Sequence, residues 1–356
     1  MLMQNDEKWM QRAIKEAQKA DYQTWQNPRV GAVVVKENHL LATGHTHQFG
    51  GFHAERDAIS KLTSEQLLDS TLYVTLEPCN HYGKQPPCSL LITNSGIKRV
   101  VIAETDPHSL VTGKGIQMLK EHGIEVVTGI LTQEAWNLNP HYNYFFEQGK
   151  PWVTLKQSIS LDGKVAAAKG KRTRITNQQV YNYVHRERAW YQGIIVGSQT
   201  AIIDNPKLTV SVSTSFPPVR IVIDRRGRLS NYSQLKLLND SEAKTWIFSS
   251  DPNLKDKLAK TKAEIIYLAN CSIEAVVEEC GHRGLQSLYV EGGPTLHQAF
   301  VNSGLVNEVI TYLSPQFIGE QGVSGMQVPA EMKLSGTNIK GLGNNVRISG
   351  RVKKNV

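Results

Sequence analysis

One imidazole, one carboxylate and two thiols fall close together early in the chain. His53 and Glu55 lie in "FHAERDA", residues 52–58, and Cys79 and Cys88 in "TLEPCNHYGKQPPC", residues 75–88. A histidine with two cysteines is a ligand set for zinc that leaves the fourth tetrahedral position open, and an open position points to catalysis. Water in that position loses a proton near neutral pH and can attack an amidine-like carbon bearing an exocyclic amine, while a nearby carboxylate carries protons to the departing ammonia. Glu55 fits that shuttle. Two residues from His53 it would point away in mid-helix, but in a first turn both can face the same end, so a helix should begin near His53. Cys88 follows Pro86 and Pro87 at another expected helix start, where the positive end of the dipole favours its thiolate. The bland alternative is that the three donors are packing residues or a closed zinc staple. A carboxylate beside an incomplete ligand set argues against it.

The elements that must position these groups follow from periodicity. Trp9, Met10, Ala13, Ile14 and Ala17 recur at helical spacing, and "RVGAVVVKENHLLATGH" reads as two strands around a Glu-Asn turn. A helix from His53 to about Leu62, a strand in "STLYVTLE", a helix through "SLLITNSG" and a strand in "KRVVIAE" come next. A helix over Lys114 to His122 and a strand over Ile124 to Val127 complete a mixed sheet covered on both faces, an α/β domain over residues 1–147. "NPHYNYFFEQGKPW" reads as the end of that unit, with Gly149 to Pro151 as connector. A second domain, 151–356, repeats the alternation: strands in "WVTLKQSIS", "GIIVG", "PVRIVID", "KTWIFSS" and "LQSLYVEGG", with a helix near "NQQVYNYVHRERAWY". Parallel strands joined by helices are expected. No G-x-G-x-x-G is present. "YVEGGPTLHQAF" instead brings Gly292 and Gly293 to a helix start, where bare amides can meet a phosphate. Arg225, Arg226 and Arg228 follow a strand, as a solvated turn or a 2′-phosphate contact.

The chain has 356 residues and a net charge of +8, which suits anionic ligands from phosphorylated metabolites to nucleic acid. It contains no apolar run long enough to span a bilayer, and its N-terminus is charged throughout, so a cytoplasmic protein without membrane partners is expected. Four cysteines are too few for a disulfide framework in a chain of this length. Cys271 and Cys280 read as core residues.

The general zinc-deaminase signature is H-x-E followed by P-C-x-x-C. Here the first part is met and the second cysteine comes later, so "NHYGKQP" should form a substrate-facing loop. On "HAE" and "PCNHYGKQPPC", with "NPRVGAVVV", "LKQSISLDGKVA", "VGSQTAIIDNPKLTV" and "VEGGPTLHQAF", the chain resembles the bifunctional riboflavin-biosynthesis deaminase-reductases over nearly its whole length. The resemblance implies a cytidine-deaminase-like first half that hydrolytically deaminates a diaminohydroxypyrimidine ribosylamine phosphate. It implies a dihydrofolate-reductase-like second half that reduces the ribosyl group to ribityl with NADPH, and a homo-oligomer, dimer or tetramer. Carried over by position, Asn27 and Lys84 face substrate in the first half. In the second, Ser158, Arg174, Thr200, Asp204, Gly292 and Gly293 face cofactor, and Lys156, Arg172, Arg188, Leu208, Ser211 and Glu291 face substrate, with Arg188 on its phosphate. The chain departs from the family pattern at Thr46, His108 and Ser109 in the first half and at Arg172, Arg174, Ser211 and Asn307 in the second. Two other readings stay open: a divergent paralogue with a silent reductase or altered substrate, and a nucleic-acid deaminase or zinc-dependent RNA-binding module. The long loop and the second cofactor-like domain speak against the last.

Overall fold

The structure is a computed structural model that describes residues 2–353. The chain divides into two compact units between Gly149 and Lys150.

The first unit runs α1 (Leu2–Ala17), β1 (Gly31–Lys36), β2 (His39–His45), α2 (Ala54–Ile59), α3 (Ser64–Leu67), β3 (Thr71–Leu76), α4 (Cys88–Thr93), β4 (Arg99–Glu104), α5 (Lys114–Glu121), β5 (Glu125–Thr128), α6 (Thr132–Trp136) and α7 (Pro140–Gln148). Its sheet has the order β2-β1-β3-β4-β5. The β1–β2 and β1–β3 pairs are antiparallel and β3–β4–β5 are parallel. Glu37 and Asn38 make the β1–β2 turn at φ 51° and 61°, the left-handed geometry a tight hairpin requires. The alternation of side chains along the strands splits the core into two layers. Val33, Val35, Tyr73, Val101 and Ala103 pack on Trp9, Met10 and Ala13 of α1. Ala32, Val34, Leu72, Val74, Val100 and Ile102 pack on Ala54 and Ala58 of α2, Ile92 of α4 and Leu119 of α5. The helices that carry the candidate site are therefore all on one face.

Gly44 sets the closeness of α2 to that face, because a Cβ there would stand 2.2 Å from the Ala54 carbonyl oxygen. The helix from His53 stops at Ile59, short of the expected Leu62. Thr63 starts a new turn instead: its hydroxyl caps Gln66 N–H while the Gln66 side chain accepts from Thr63 N–H. The segment read as a tail is a helix, with Pro140 in its first turn and Gly149 in the left-handed region at its end.

The second unit contains β6 (Trp152–Ser160), β7 (Lys164–Ala166), α8 (Gln178–Glu187), β8 (Gly193–Gly197), α9 (Ser198–Asp204), β9 (Val219–Ile223), α10 (Lys236–Asn239), β10 (Thr245–Ser249), α11 (Leu254–Lys257), β11 (Glu264–Tyr267), α12 (Ile273–His282), β12 (Ser287–Val290), α13 (Pro294–Asn302), β13 (Val306–Ser314), β14 (Val323–Ser324), β15 (Leu334–Leu342) and β16 (Asn345–Val352). Its nine-stranded sheet has the order β11-β10-β9-β8-β12-β6-β13-β16-β15. It is parallel through β13, but β16 and β15 add an antiparallel hairpin that the all-parallel expectation lacked. β15 is largely exposed and so carries little of the apolar pattern that marks a strand in sequence. Cys271 and Cys280 are buried in the core under this sheet. Glu187, at the end of α8, accepts from Tyr289 Oη at 2.5 Å, Tyr312 Oη at 2.7 Å and Arg347 Nε at 2.9 Å, which ties the helix to β12, β13 and β16.

Candidate active sites

In the first unit His53 is the N-cap of α2, in extended conformation, and Glu55 lies in the first turn. Cys79 follows β3, and Cys88 opens α4 with Pro87 as its N-cap. The sequence separation of these residues closes in space. The Nδ1 atom of His53 lies 3.6 Å from Cys79 Sγ and 3.4 Å from Cys88 Sγ, and the three donor atoms all lie within 4.8 Å of one another. Cys88 N–H donates to Cys79 Sγ at 3.4 Å, and Ser89 N–H and Oγ both donate to the Cys79 carbonyl at 3.1 Å, so the excursion between the cysteines returns to its start.

Electrostatics sort these groups. The Cys88 thiol, hydrogen-bonded to Cys79, and then His53 hold Cys79 down at about 4, against the desolvation that opposes them. Cys88 is pushed well up by that same partner and by burial. Glu55 is 4% exposed, and burial, then the charge on Cys79, raise its carboxyl to about 7. Its carboxyl lies close enough to the donor set to respond to it, the charge on Cys79 raising it and the Cys88 thiol lowering it. Two soft thiols and an imidazole nitrogen aimed at one point, with a proton-accepting carboxyl alongside, fit zinc in a site with one position left for reactants.

The other first-half positions are spread more widely. Lys84, on the exposed loop between the cysteines, sits 4.4 Å from the centre of the Phe49 ring, and Asn27 lies in the turn before β1. Thr46 is buried and its hydroxyl accepts Val30 N–H at 2.9 Å, a structural role. Its neighbours His45 and His47 instead meet Asp57 of α2, through the His45 N–H at 3.1 Å and His47 Nε2 at 3.4 Å. His108 packs edge-on against Phe146 with ring centres 4.1 Å apart.

In the second unit a cavity of about 1090 Å³ collects most of the residues the sequence singled out. Ser158, Arg174, Thr200, Asp204, Gly292 and Gly293 line it, and so do Lys156, Arg172, Arg188, Leu208 and Glu291. Gly293 is the N-cap of α13, so the amides of that helix start open at the cavity wall. Ser211 does not line the cavity; its N–H is bonded to the His185 carbonyl. Asn307 lies at a β13 irregularity and its Oδ1 accepts Val153 N–H at 2.8 Å, holding the sheet. Arg225, Arg226 and Arg228 are also absent from the lining, and Arg228 reaches Gln199 Oε1 at 2.6 Å.

Arg188 differs from its expected role. Its Nε and Nη2 donate to the two oxygens of Glu291 at 2.5 and 2.9 Å, and Nη1 donates to the Thr209 carbonyl at 2.9 Å. A guanidinium with its donors spent in this way is a strut, and its carboxylate partner is held at about 2 despite burial, by Arg188 and then Lys156. Lys156 Nζ stands 3.8 Å from the same carboxylate. The exposed cations on the wall are Lys169, Lys171, Arg172 and Arg174. The two lysines were not singled out in sequence, where "AKGKR" reads as a solvated run. His297 was missed too. It lines the cavity at 2% exposure with Nε2 unpartnered, and burial lowers its imidazole to about 4.

Comparison with known proteins is decisive for the family. Residues 151–347 match the RibD C-terminal domain, and residues 3–104 match the cytidine and deoxycytidylate deaminase zinc-binding region. The chain is 42% identical to riboflavin biosynthesis protein RibD of Bacillus amyloliquefaciens over 320 residues, covering 88% of this chain and 85% of that one. The chain belongs to the RibD family. The Aquifex aeolicus member is 36% identical over 322 residues, 90% of each chain. Acinetobacter baumannii RibD superposes with a TM-score of 0.87 at 31% identity, covering 99% of this chain and 100% of that one. A Thermotoga maritima diaminohydroxyphosphoribosylaminopyrimidine deaminase/5-amino-6-(5-phosphoribosylamino)uracil reductase superposes at 0.83, with 32% identity and the same coverage. Membership makes this chain an enzyme of riboflavin biosynthesis with a zinc-binding deaminase half and an NADPH-dependent reductase half, each an α/β fold. No helix among the described residues is long and apolar enough to cross a membrane.

Proposed function

We propose that this chain performs two consecutive steps on one phosphorylated substrate: hydrolytic deamination of 2,5-diamino-6-ribosylamino-4(3H)-pyrimidinone 5′-phosphate, then reduction of its ribosyl group to ribityl. The observation that carries the reading is the buried Glu55 carboxyl set against the converging donors His53, Cys79 and Cys88, in a chain that also matches the RibD C-terminal domain.

In the first site His53, Cys79 and Cys88 would hold zinc, which would supply Lewis-acid activation of water. Glu55 takes the proton of that water and delivers it to the departing amine. A carboxyl raised toward neutrality by burial can do both, because neither protonation state is far from reach. Lys84 and Asn27 orient the substrate from the loop and the β1 approach.

In the second site the lining residues would hold NADPH, which would supply a hydride to the ribosyl carbon bonded to the exocyclic nitrogen as the ring C–O bond opens and the ring oxygen takes a proton from water. Gly292, Gly293 and the α13 amides receive a phosphate of the cofactor, with Ser158, Arg174, Thr200 and Asp204 around it. Lys156 and Glu291 face the substrate, Leu208 bounds it, and Arg188 fixes the Glu291 carboxylate. Because Arg188 is engaged, the substrate phosphate falls to Arg172 with Lys169 and Lys171, bidentate arginine providing the stronger grip. Ser211 is left out of this assignment. The enzyme is read as a cytoplasmic homo-oligomer, dimer or tetramer, which sedimentation of the purified chain checks.

Mass spectrometry of the pyrimidine substrate after incubation tests the reading. A deaminated product without NADPH, and a deaminated and reduced product with it, is the expected outcome. Deamination with no NADPH oxidation would favour a silent second half.

A further inference from the structure

Glu77 stands two residues before Cys79 and takes no part in the steps above. It is 3% exposed, and its carboxylate accepts four backbone N–H groups. Oε2 accepts from Asp106 at 3.3 Å and Gly113 at 3.0 Å, and Oε1 from Gly115 at 3.0 Å and Ile116 at 3.2 Å. All four donors lie on the connection from β4 to α5 or in the first turn of α5. The N-cap of α5 is Gly113, at φ 75° and without a side chain to offer. The amides that open a helix need acceptors, and a negative charge there also complements the helix dipole. Glu77 provides both from a different element, the strand end that delivers Cys79.

The fit is close on either side of this contact. A Cβ on Gly115 would stand 2.0 Å from the Pro78 carbonyl oxygen, so α5 rests directly on the Pro78 backbone and only glycine allows it. Asn80 Nδ2 adds a bond to the Lys114 carbonyl at 3.3 Å. Cys79 is thus bracketed, with Glu77 and Asn80 tying its backbone to α5 and Ser89 tying its carbonyl to α4 at 3.1 Å.

We infer that Glu77 is a positioning residue for the metal centre: its carboxylate, locked on the α5 amides, fixes the Pro78–Cys79 backbone and with it the direction of the Cys79 sulfur. The inference rests on the reading of His53, Cys79 and Cys88 as zinc ligands. Glu77→Gln is the sharp variant, since one end of the amide becomes a donor facing backbone donors while the volume is kept.

The experiment uses the full-length zinc-loaded protein and reads two quantities, the rate at which zinc passes to a coloured chelator and the thiolate-to-metal absorption of the cobalt-substituted form. Groups that orient a metal ligand without touching the metal are commonly worth about 10- to 100-fold in metal affinity. Glu77→Gln is therefore expected to release zinc about tenfold faster or more and to shift the cobalt band. A folded Glu77→Gln protein with the wild-type release rate and cobalt spectrum overturns the inference, leaving Glu77 as a helix cap alone. Should Glu77→Gln not fold, Glu77→Asp, which keeps the charge but shortens the reach, is read the same way: faster release supports the positioning role and wild-type release overturns it. Wild-type protein that holds no zinc sinks the zinc reading itself, which is a separate result from zinc held equally well by all three proteins.

Discussion

Glu55 can be tested apart from the metal because it contributes no donor atom to the set it adjoins. Glu55→Gln should keep its zinc and its fold while ammonia release falls by on the order of 10³-fold, the loss expected when a positioned proton carrier is removed. Near-normal release would take Glu55 out of the mechanism. Cys88→Ser should do the reverse, losing most of the zinc measured by metal analysis, since a hydroxyl is a poor substitute for a soft thiolate. His53, Glu55 and the two cysteines were legible in sequence because their chemistry is rare and their spacing is tied to helix starts, His53 as N-cap of α2 and Cys88 at the opening of α4. Glu77 was not legible. Its partners are backbone amides from Asp106 to Ile116, and no residue type announces a backbone amide. Thr46, where the chain departs from the family pattern, likewise has a backbone partner, its hydroxyl serving Val30 N–H beside the hairpin.

The elements of the second unit decide what Arg188 can do. It lies just beyond α8, whose last residue Glu187 is pinned to three strands, and it meets Glu291 at the end of β12. Sequence resemblance places Arg188 on a phosphate, but pairing with a buried glutamate is a three-dimensional fact about where α8 ends relative to β12. Removing one partner of a buried ion pair leaves the other charge uncompensated at a cost of about 3–5 kcal/mol, so Arg188→Ala should lower the melting temperature of the protein markedly. Arg172→Ala should leave stability near wild type, the side chain being exposed, and raise the KM for the phosphorylated substrate by roughly tenfold or more, the worth of a charge-assisted hydrogen bond. Steady-state NADPH oxidation with graded substrate reads the second effect. If Arg172→Ala keeps the wild-type KM, the phosphate is held elsewhere on the cavity wall.

On the scale of the whole chain, the first unit's strands and β6, β8, β9, β10 and β12 of the second were readable from their apolar runs, and α1, α2, α4, α5, α8 and the start of α13 from spacing and Pro-Gly punctuation, whereas the short β11 and the helices α9 to α12 went unread. The hairpin of β15 and β16 was not readable either, because an edge strand with exposed side chains carries no such run. Burial without a charged partner also divides the two units by pH. In the first, burial raises Glu104 to about 7 and Asp106 to about 6 from ordinary values of 4.5 and 3.8. A folded state that holds a proton more tightly than the unfolded chain is most stable below the unfolded pKa and loses that stability as pH rises through the folded one. Acidification from pH 7 should therefore strengthen this unit, with the lowered His45 and His108 working against the trend. In the second unit His297 is lowered to about 4 from 6.5, so the unfolded chain takes up the proton first and stability is lost as pH falls from 6.5 toward 4. A shift of that size is worth about 3 kcal/mol across the window, and the raised Asp204 and Glu308 reduce it. Hydrogen exchange followed by segment on the zinc-loaded protein between pH 7 and about 5.5 should show, after correction for intrinsic rates, protection rising along β3 and β4 and falling along β12 and α13. His297→Phe should weaken the second trend, leaving the share carried by His185, whose imidazole burial likewise lowers to about 4, and should leave the first alone. Parallel changes in both units, or a second-unit pH response undiminished by His297→Phe, would show that other groups govern its acid sensitivity.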